Sequence, residues 1–427
     1  MPAPTRLLSP VELPPSIVAP LALDLVTTAE PVPPAAPNEA AGSVPRQRLG
    51  EPEVLAFVSD LFAEDLHAKR VLSLAHGALG VIHASSLAIH SVGRGLAAAR
   101  CGLDRHAIKQ VDRLLSNRGI NLERIGASWV QMLLGERQEV YVNLDWTEFD
   151  DDDHTMLVAS VQTDHGRATP LLWRTWKKSE LKGQRNNHED ELLSWLRSCV
   201  PDDVKVVIVA DRGFGDQKLF RLLMEELKFD FIIRFKQDTL VTDAQGVTRK
   251  ASEWMAGSGR LRRYEGAAIT ADRTPIPLII LVKDAGMKDA WCIASSLRDV
   301  SGKEVKRRYG KRFSCEEMFR DFKDIRYGWG LSWTHIKDPG RRDRLFLLAS
   351  IAFVLLILLG AAGEHTGLDH RIKASNRPGR QLSLYRQGLR WYELIPGLPE
   401  PILRTLMEGF AELLLRQKTF REIYGAL

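Results

Sequence analysis

The sequence predicts an α/β fold, and two stretches carry most of that prediction. Residues 139–149 are rich in β-branched and aromatic residues, which favours a strand. Residues 204–210 form a short β-branched apolar run, which is typical of a strand buried on both faces. Two further strands are expected at 155–162 and 169–175, and a helix at 216–228. Since chemistry in such sheets gathers at the carboxyl ends of strands, polar residues there are candidates for a functional site.

Length, charge and cysteine content limit the class of protein. The chain has 427 residues, enough for two or three domains, and a formal net charge of +5. This mildly basic balance, with a pI of about 8.9, is compatible with a polyanionic partner without requiring one. The four cysteines form no Cys-x-x-Cys pair, which favours a reducing compartment over a zinc site or a disulfide framework. No Walker A or Gly-x-Gly-x-x-Gly motif occurs, so no nucleotide cofactor is expected.

The first 50 residues differ in composition from the rest. They are rich in proline and alanine, and we interpret them as a disordered or loosely attached tail. They lack a charged start followed by an apolar core and a small-residue cleavage site, so no secretion signal is expected.

Residues 51–134 are predicted to form a helical DNA-binding domain. Helices at 91–100 and 103–116 flank Cys101-Gly102, a turn that suits a helix-turn-helix. The second helix presents polar residues, including Lys109 and Arg113, that could enter a major groove. The alternative is an amphipathic helix within a bundle. We predict DNA contacts from Lys109 and Arg113.

Two acidic residues stand at predicted strand ends. Asp145 lies near the end of 139–149, and Asp211 directly follows 204–210. A carboxylate at the end of a buried strand is not expected to be a core residue. Asp211 could instead cap the next turn, which Gly213 would suit, and Asp145 could be a turn residue. We predict that both are catalytic.

Four polar residues share one face of a predicted helix. They are Tyr309, Arg312, Glu316 and Lys323. At about 100° per residue they fall within a stripe about 60° wide. Met318, Phe322 and Ile325 fall near the opposite side, so we predict a single helix with an apolar face in the core. Glu317 points about 100° away from Glu316, which makes Glu316 the acidic residue of the stripe. The alternative is a solvated helix on which Glu316 pairs with a neighbouring arginine.

Asp145, Asp211 and Glu316 together suit a hard divalent cation. Three carboxylates without histidine or cysteine neighbours match the oxygen ligands that Mg²⁺ and Mn²⁺ prefer. Two such ions about 3.5–4 Å apart can activate an attacking oxygen and stabilise a leaving one. The sequence therefore predicts phosphodiester chemistry with two Mg²⁺ or Mn²⁺ ions.

These motifs resemble a known family. The spacing Tyr309-x2-Arg312-x3-Glu316-x6-Lys323 resembles the tyrosine-arginine-glutamate-lysine signature of insertion-sequence DDE transposases of the IS-four type. Asp145-Trp-Thr resembles the first-aspartate motif of that family, and Val-Ile-Val-Ala-Asp211-Arg-Gly-Phe resembles the second. The resemblance runs from about residue 75 to about residue 365.

The resemblance implies a fold and a reaction. It implies a ribonuclease-H-like catalytic domain formed by residues 135–235 and 296–365, in which Asp145, Asp211 and Glu316 bind divalent metal. Water first cuts the element end to release a 3′-hydroxyl, which then attacks target DNA. Because two element ends must be brought together, a homodimer on double-stranded DNA is implied, in the nucleoid-associated cytoplasm of a bacterium.

The resemblance also implies DNA contacts around this site. Tyr309, Arg312 and Lys323 of the signature are expected to touch DNA, as is Arg234 on the strand that follows the second aspartate. Trp291 stands where the family has a tryptophan that stacks on a base flipped out of the duplex. Trp291 could instead be an ordinary core residue.

Residues 236–295 are predicted to form an inserted β-subdomain. They alternate in polarity and carry turn signals at 243–246, 257–259 and 283–286. The arginines at positions 260, 262 and 263 could follow DNA phosphates or could protect an edge strand from pairing.

The last third of the chain contains one strongly apolar run. Residues 345–362 include Ser350 as their one polar residue, and their length would suit a membrane span. A helix buried beneath the catalytic sheet explains the run as well, and the resembling family has an apolar helix there. We therefore predict a core helix and no membrane. Residues 366–427 are predicted to be a helical C-terminal region, with a phosphate-touching loop at 371–380 and an amphipathic helix at 398–416.

The predicted function is a DNA transposase that binds insertion-sequence ends and catalyses metal-dependent cleavage and strand transfer. One alternative is a metal nuclease of the same fold that cuts without joining. Another is a DNA-binding regulator derived from a transposase, although it would not need the three carboxylates. The third alternative is a membrane-associated protein built around residues 345–362.

Overall fold

The computed structural model describes residues 49–255, 260–374, 376 and 379–415. The tail predicted for the first 50 residues lies almost wholly outside the described residues, as do the turn at 257–259, part of the loop at 371–380 and residue 416. Ten strands lie within the described ranges: β1 (Glu139–Phe149), β2 (His154–Val161), β3 (Thr169–Lys177), β4 (Lys205–Ala210), β5 (Asp230–Phe235), β6 (Leu240–Thr242), β7 (Thr248–Lys250), β8 (Arg262–Ile269), β9 (Thr274–Val282) and β10 (Trp291–Ser295).

Helices precede and follow the strands along the described chain and also lie between some of them. They are α1 (Glu51–Phe62), α2 (Ala68–Ala84), α3 (Ile89–Arg100), α4 (Asp104–Ser116), α5 (Leu122–Leu134), α6 (Arg185–Cys199), α7 (Gln217–Arg221), α8 (Gly302–Gly310), α9 (Phe313–Lys323), α10 (Pro339–His365), α11 (Leu384–Leu394) and α12 (Glu400–Leu415). The α/β class predicted from the sequence is therefore confirmed, and the four strands expected before residue 211 are present.

All ten described strands belong to one sheet, in the order β3-β2-β1-β4-β5-β10-β9-β8-β6-β7. β1, β4 and β5 are parallel neighbours, whereas β2 and β3 return antiparallel beside β1. The apolar, β-branched residues of β4 explain its central place, because both of its faces are covered. This mixed α/β arrangement is consistent with the ribonuclease-H-like fold that was expected.

The segment predicted as an insertion forms β6 to β10 and extends the same sheet. β10 pairs antiparallel with β5, so hydrogen bonding continues from the parallel strands into the added ones. Two of its predicted turns are present, with Gly246 and Gly286 at φ +84° and +86°, a conformation that glycine adopts without strain. That these strands behave as a separate subdomain stays a prediction.

Helix α10 contains the strongly apolar run at 345–362. It is long and apolar enough to cross a membrane, yet 94% of its most apolar window is buried inside the protein. Asp338 caps its first turn by accepting a hydrogen bond of 2.7 Å from the backbone N–H of Arg341. Phe346 packs edge-on against Trp173 of β3, with ring centroids 4.9 Å apart. The apolar surface of α10 is therefore used in packing within the fold.

The helix-turn-helix predicted near residue 100 corresponds to α3 and α4. Cys101 ends α3 in the left-handed region at φ 51°. A side chain at Gly93 would place its Cβ 2.5 Å from the Cα of Ile108, so the close approach of α3 and α4 requires glycine. The two helices are consequently a tightly packed pair, with Lys109 and Arg113 exposed on α4.

The helix expected at 216–228 is present as α7 continued by a π-helical turn at Leu222–Glu226. One helix prediction is wrong. The single helix expected through the signature is divided into α8 and α9 by a turn at Lys311 and Arg312. Ile325, predicted to lie on its buried face, falls beyond α9 and is exposed.

Candidate active site

The two predicted catalytic aspartates occupy matching positions on neighbouring strands. In the parallel pair of β1 and β4, Leu144 is the register partner of Ala210. Asp145 and Asp211 are the next residues of these two strands. The parallel pairing of β1 and β4 stops at this level, although β1 continues beside β2 to Phe149. Both carboxylates thus lie at the edge where the parallel strands end.

Asp211 also performs the local role that the sequence left open. Its Oδ1 accepts a hydrogen bond of 2.7 Å from the backbone N–H of Gly213 and caps the turn at Arg212–Phe214. One of the two carboxylate oxygens is used in this way. The capping bond orients the side chain without removing its negative charge.

A tight turn before α9 replaces the predicted single helix. The backbone N–H groups of Arg312, Ser314 and Cys315 each donate to the carbonyl three residues earlier. Such bonds tighten the chain to about three residues per turn, so the α-helical wheel no longer holds across this point. Glu316 and Lys323 share α9, whereas Tyr309 lies on α8 and Arg312 at the junction.

Arg312 joins two of the carboxylates. Its guanidinium donates a hydrogen bond of 3.0 Å to Asp145 Oδ2 and another of 2.7 Å to Glu316 Oε1. Arg312 and Asp145 are mostly buried, whereas Glu316 is about half exposed. The pairing of Glu316 with Arg312, considered above as the alternative to function, therefore occurs, but as part of a cluster that includes Asp145.

Both signs of charge act on Asp145. Burial raises the pKa of Asp145 to about 6, the Arg312 guanidinium opposes that shift, and the carboxylates of Asp211 and Glu316 add to it. Lys323 is also close enough for the charge of Asp145 to raise its pKa against the effect of burial. The three carboxylates thus lie in a site that also contains the cations Arg312 and Lys323.

Glu317, next in the chain, faces other partners. Its carboxylate lies 3.5 Å from Arg167 and also pairs with Arg320. Asp321, fully buried on the same helix, is held between Arg167 and Arg386. These contacts tie α9 to the loop after β2 and to α11, and they leave Glu316 as the α9 carboxylate that joins Asp145.

Lys323 is engaged within the protein. Its ammonium donates hydrogen bonds of 2.9 Å to Thr147 Oγ1 and 2.6 Å to the carbonyl of Glu148. It also lies 4.7 Å from the ring centroid of Phe149, and burial lowers its pKa. In this arrangement Lys323 fastens the end of α9 to the end of β1, the strand that carries Asp145.

Tyr309 and Trp291 form a pair beside the carboxylates. Their ring centroids are 4.8 Å apart in an edge-to-face arrangement, with Tyr309 buried and Trp291 half-buried. Arg234 follows Ile233, the register partner of Ala210, so it is level with Asp211 on the next parallel strand. Arg234 donates a hydrogen bond of 3.1 Å to the carbonyl of Ala290, the residue before Trp291.

Lys109 and Arg113 lie on α4, outside this cluster. Helix α4 is joined to the segment after the signature through Arg341, which donates to Asp112 Oδ1 at 2.6 Å and to Ser116. Arg344 strengthens the connection by donating to the carbonyl of Leu115 at 2.5 Å. The candidate DNA-binding helix is thus attached to the first turn of α10.

One acidic residue near the site was missed by the sequence reasoning. Glu189 of α6 is buried and accepts a hydrogen bond of 2.7 Å from the indole N–H of Trp146, the residue after Asp145. Burial raises the pKa of Glu189 to about 7. No local pattern connects the two residues, so only the packing of α6 on the sheet reveals the contact.

A cavity of about 810 Å³ lies away from the carboxylates, between α5, α6 and β3. Its lining includes Arg174, Trp176 and Trp195, and none of Asp145, Asp211 or Glu316. The candidate active site instead lies where the parallel pairing of the central strands β1 and β4 ends.

The donor set fits a hard divalent cation in its chemistry. Asp145 and Glu316 each accept a hydrogen bond from the Arg312 guanidinium through one carboxylate oxygen. Among the residues that the structure describes, no three Asp, Glu, His or Cys side chains converge closely enough to hold an ion as they stand.

Residues 180–355 match the family model of the transposase DDE domain. The matched stretch includes Asp211, the signature residues and most of α10, but begins after Asp145. It covers less than half of the chain, and no curated protein matches the chain. The match supports a transposase of the DDE class, a group that generally uses divalent metals.

Proposed function

We propose that this protein is a cut-and-paste DNA transposase of the insertion-sequence type with the tyrosine-arginine-glutamate-lysine signature. One observation supports the proposal most strongly. Asp145 and Asp211 lie side by side at the ends of parallel strands, and Arg312 connects Asp145 with Glu316 of α9. The match of residues 180–355 to the transposase DDE domain supports the same class.

The proposed reaction has two steps at phosphorus. In the first, water attacks the phosphodiester at the element end, and a P–O bond to the water oxygen forms as the P–O bond to the 3′ oxygen breaks. The element strand is released with a free 3′-hydroxyl, and the flanking DNA keeps the 5′-phosphate. In the second, that hydroxyl attacks a phosphodiester of target DNA, and one P–O bond forms as another breaks. Because the second step conserves the number of phosphodiester bonds, the proposal needs no nucleotide cofactor.

Asp145, Asp211 and Glu316 would hold the divalent ions, Mg²⁺ or Mn²⁺. When bound, these ions supply activation of the attacking oxygen and stabilisation of the leaving one. Arg312 is positioned to exchange its carboxylate partners for a DNA phosphate, since a guanidinium binds both anions in the same planar manner. Lys323 holds the strand end that carries Asp145.

DNA outside the reacting bond is assigned to three further places. Trp291, half-buried against Tyr309, is proposed to receive a base turned out of the duplex. Arg234 is proposed to contact phosphate beside it. Lys109 and Arg113 of α4 are proposed to recognise the element end, with a homodimer bringing two ends together.

A cleavage and joining assay tests the proposal. It uses the purified chain, the DNA that flanks its own gene, and Mg²⁺, with Glu316→Gln and Glu317→Gln proteins in parallel. We expect metal-dependent nicking and strand transfer by the wild type and by Glu317→Gln, and none by Glu316→Gln, which should still bind the element end.

The other outcomes separate the alternatives. Nicking without any joined product would favour a metal nuclease of the same fold. End binding by the wild type without nicking would favour a transposase-derived regulator. Equal activity of Glu316→Gln and wild type would contradict the assignment of the third carboxylate.

A further inference from the structure

The segment between α9 and α10, residues 324–338, exposes an unusual set of side chains. Ile325, Tyr327 and Trp333 are 59%, 60% and 59% exposed, and they are three of the nine exposed large apolar residues among those described. A large apolar side chain on the surface is informative when several occur together. We call this stretch the α9–α10 segment.

The backbone of the α9–α10 segment is firmly held. Asp324 Oδ1 accepts hydrogen bonds of 2.6 and 3.0 Å from the backbone N–H groups of Arg326 and Tyr327. A Cβ at Gly328 would lie 2.0 Å from the carbonyl oxygen of Asp321, so the chain passes too close to α9 for any other residue. These contacts hold the backbone around residues 324–328 in one conformation against α9.

Buried residues alternate with the exposed ones. Trp329 is buried and stacks on Phe322 of α9, with ring centroids 5.4 Å apart. Leu331 and Ile336 are also buried. The segment thus packs against the core through one set of apolar side chains, whereas Tyr327 and Trp333 are exposed to solvent.

Cations accompany the exposed rings. Arg326 and Lys337 are exposed, and neither forms an ion pair with an acidic residue among the described residues. Hydrogen bonds from the backbone N–H groups of Arg326 and Tyr327 lower the pKa of Asp324, and the charge of Arg326 lowers it further, while Asp152 pairs with buried Arg342. The surface therefore combines exposed aromatic rings with the exposed cations Arg326 and Lys337, beside Asp324 and Asp338.

The position of the segment connects two parts of the candidate DNA surface. It begins directly after Lys323, at the end of the helix that carries Glu316, and it ends at Asp338, which caps α10. The first turn of α10 is bonded to α4 through Arg341. The segment therefore connects the helix that carries Glu316 with the helix that is bonded to α4.

We propose that the α9–α10 segment binds unpaired DNA next to the reacting phosphodiester, with Tyr327 and Trp333 stacking on bases and Arg326 and Lys337 contacting phosphates. This inference rests on the proposed function. Base stacking needs a ring whose face is open, and every base offers such a face once it is unpaired. Interleaved cations suit a polyanion better than the apolar surface of a second copy of the chain.

The test compares binding of a fluorescein-labelled single strand of about 20 nucleotides with its duplex, a length that exceeds the usual site of one binding fold. Full-length Tyr327→Ala and Trp333→Ala proteins are measured by anisotropy. Leu240→Ala is the control, since Leu240 is a 36% exposed apolar residue on β6, apart from the residues assigned to DNA contact. Trp333→Phe retains a ring. All four substitutions lie at exposed positions and should preserve the melting temperature.

We expect the alanine variants to bind the single strand about tenfold more weakly, and the duplex within about twofold of wild type, because each lost stack weakens binding about 5- to 150-fold. Trp333→Phe should retain most of the affinity, and Leu240→Ala all of it. Unchanged affinity of both alanine variants would overturn the inference, and so would equal losses on single strand and duplex.

Two results would separate this inference from the proposed function. If the alanine variants bind and cleave as the wild type does, the inference fails and the transposase proposal stands. If the wild type binds neither form of DNA, both fail. A change in molar mass by light scattering, without a change in DNA affinity, would assign the surface to a second copy of the chain and overturn the inference.

Discussion

The guanidinium of Arg312 donates a hydrogen bond of 3.0 Å to the carboxylate of Asp145, 167 positions earlier in the chain. The same guanidinium holds Glu316, so one cation relieves repulsion between two carboxylates. The arrangement therefore predicts that metal and Arg312 compete for the same oxygens.

Divalent ions should stabilise the folded protein. We expect the melting temperature to rise with Mn²⁺ or Ca²⁺ concentration, since a ligand that binds only the folded state adds stability by mass action. Asp211→Asn should remove this response, whereas Glu317→Gln should retain it because Glu317 faces Arg167. The same ion-dependent shift in both variants would argue against the carboxylate set as the site.

Replacing Arg312 should alter both metal and DNA binding. Without DNA, Arg312→Gln should bind Mn²⁺ more tightly, because the competing guanidinium is gone. Its affinity for DNA should be lower than that of the wild type, because one phosphate contact is lost. For the same reason, the slope of log affinity against log salt concentration should be shallower by about 1. Arg320→Gln is the control, since Arg320 pairs with Glu317 on the exposed face. Calorimetry and anisotropy measure the two effects, and an unchanged salt slope would return Arg312 to a structural role.

Lys323→Met should lower the free energy of unfolding by about 1–3 kcal/mol, because partly buried acceptors on Thr147 and Glu148 lose a charged donor. Urea unfolding measures the change, with Arg320→Met as an exposed control on the same helix. A variant of wild-type stability that binds DNA with a shallower salt slope would instead favour the phosphate contact implied by the family resemblance.

Glu189 should make stability depend on pH. Its pKa is raised by burial from 4.5 to about 7, so between these values the folded protein binds more protons than the unfolded chain. The free energy of unfolding should therefore fall as pH rises through this window. Glu189→Gln should match the wild type near pH 4 and exceed it by about 2–3 kcal/mol at pH 8.

Urea unfolding at several pH values measures this difference, with the more exposed neighbour Glu191→Gln as control. A difference between Glu189→Gln and wild type that is constant across pH would contradict the assignment.

Helix α4 should contribute salt-dependent DNA binding. Lys109→Ala and Arg113→Ala should each weaken binding to the element-end duplex and reduce the salt slope by about 1. Arg404→Ala provides an exposed cation on α12 as control. Anisotropy over a range of salt concentrations measures both quantities, and slopes equal to that of the control would leave α4 as a bundle helix.

Much of the fold was accessible from local sequence patterns. The β-branched runs predicted β1 and β4, with Asp145 near the end of one strand and Asp211 directly after the other. That these two strands are parallel neighbours was decided by the fold. The apolar run at 345–362 was correctly assigned to a buried helix. These predictions succeed because strand propensity and hydrophobic periodicity act between near neighbours.

The signature segment shows where such reasoning stops. A helical wheel placed Tyr309 and Lys323 on one exposed stripe, but the turn at Lys311 and Arg312 changes the helix phase. Tyr309 is buried against Trp291, and Lys323 is held by Thr147. A short turn with hydrogen bonds to the carbonyl three residues earlier has no clear sequence signature, because most residues can adopt its backbone conformation.

The sequence thus determined which candidate residues are acidic, basic or aromatic, and for most of them whether they lie on a helix, on a strand or at a strand end. The partners of these residues depended on the packed fold. Arg312 meets Asp145, Lys323 meets Thr147 and Glu189 meets Trp146 across 167, 176 and 43 positions. Contacts of that separation form only after strands and helices pack, because packing fixes both distance and side-chain direction.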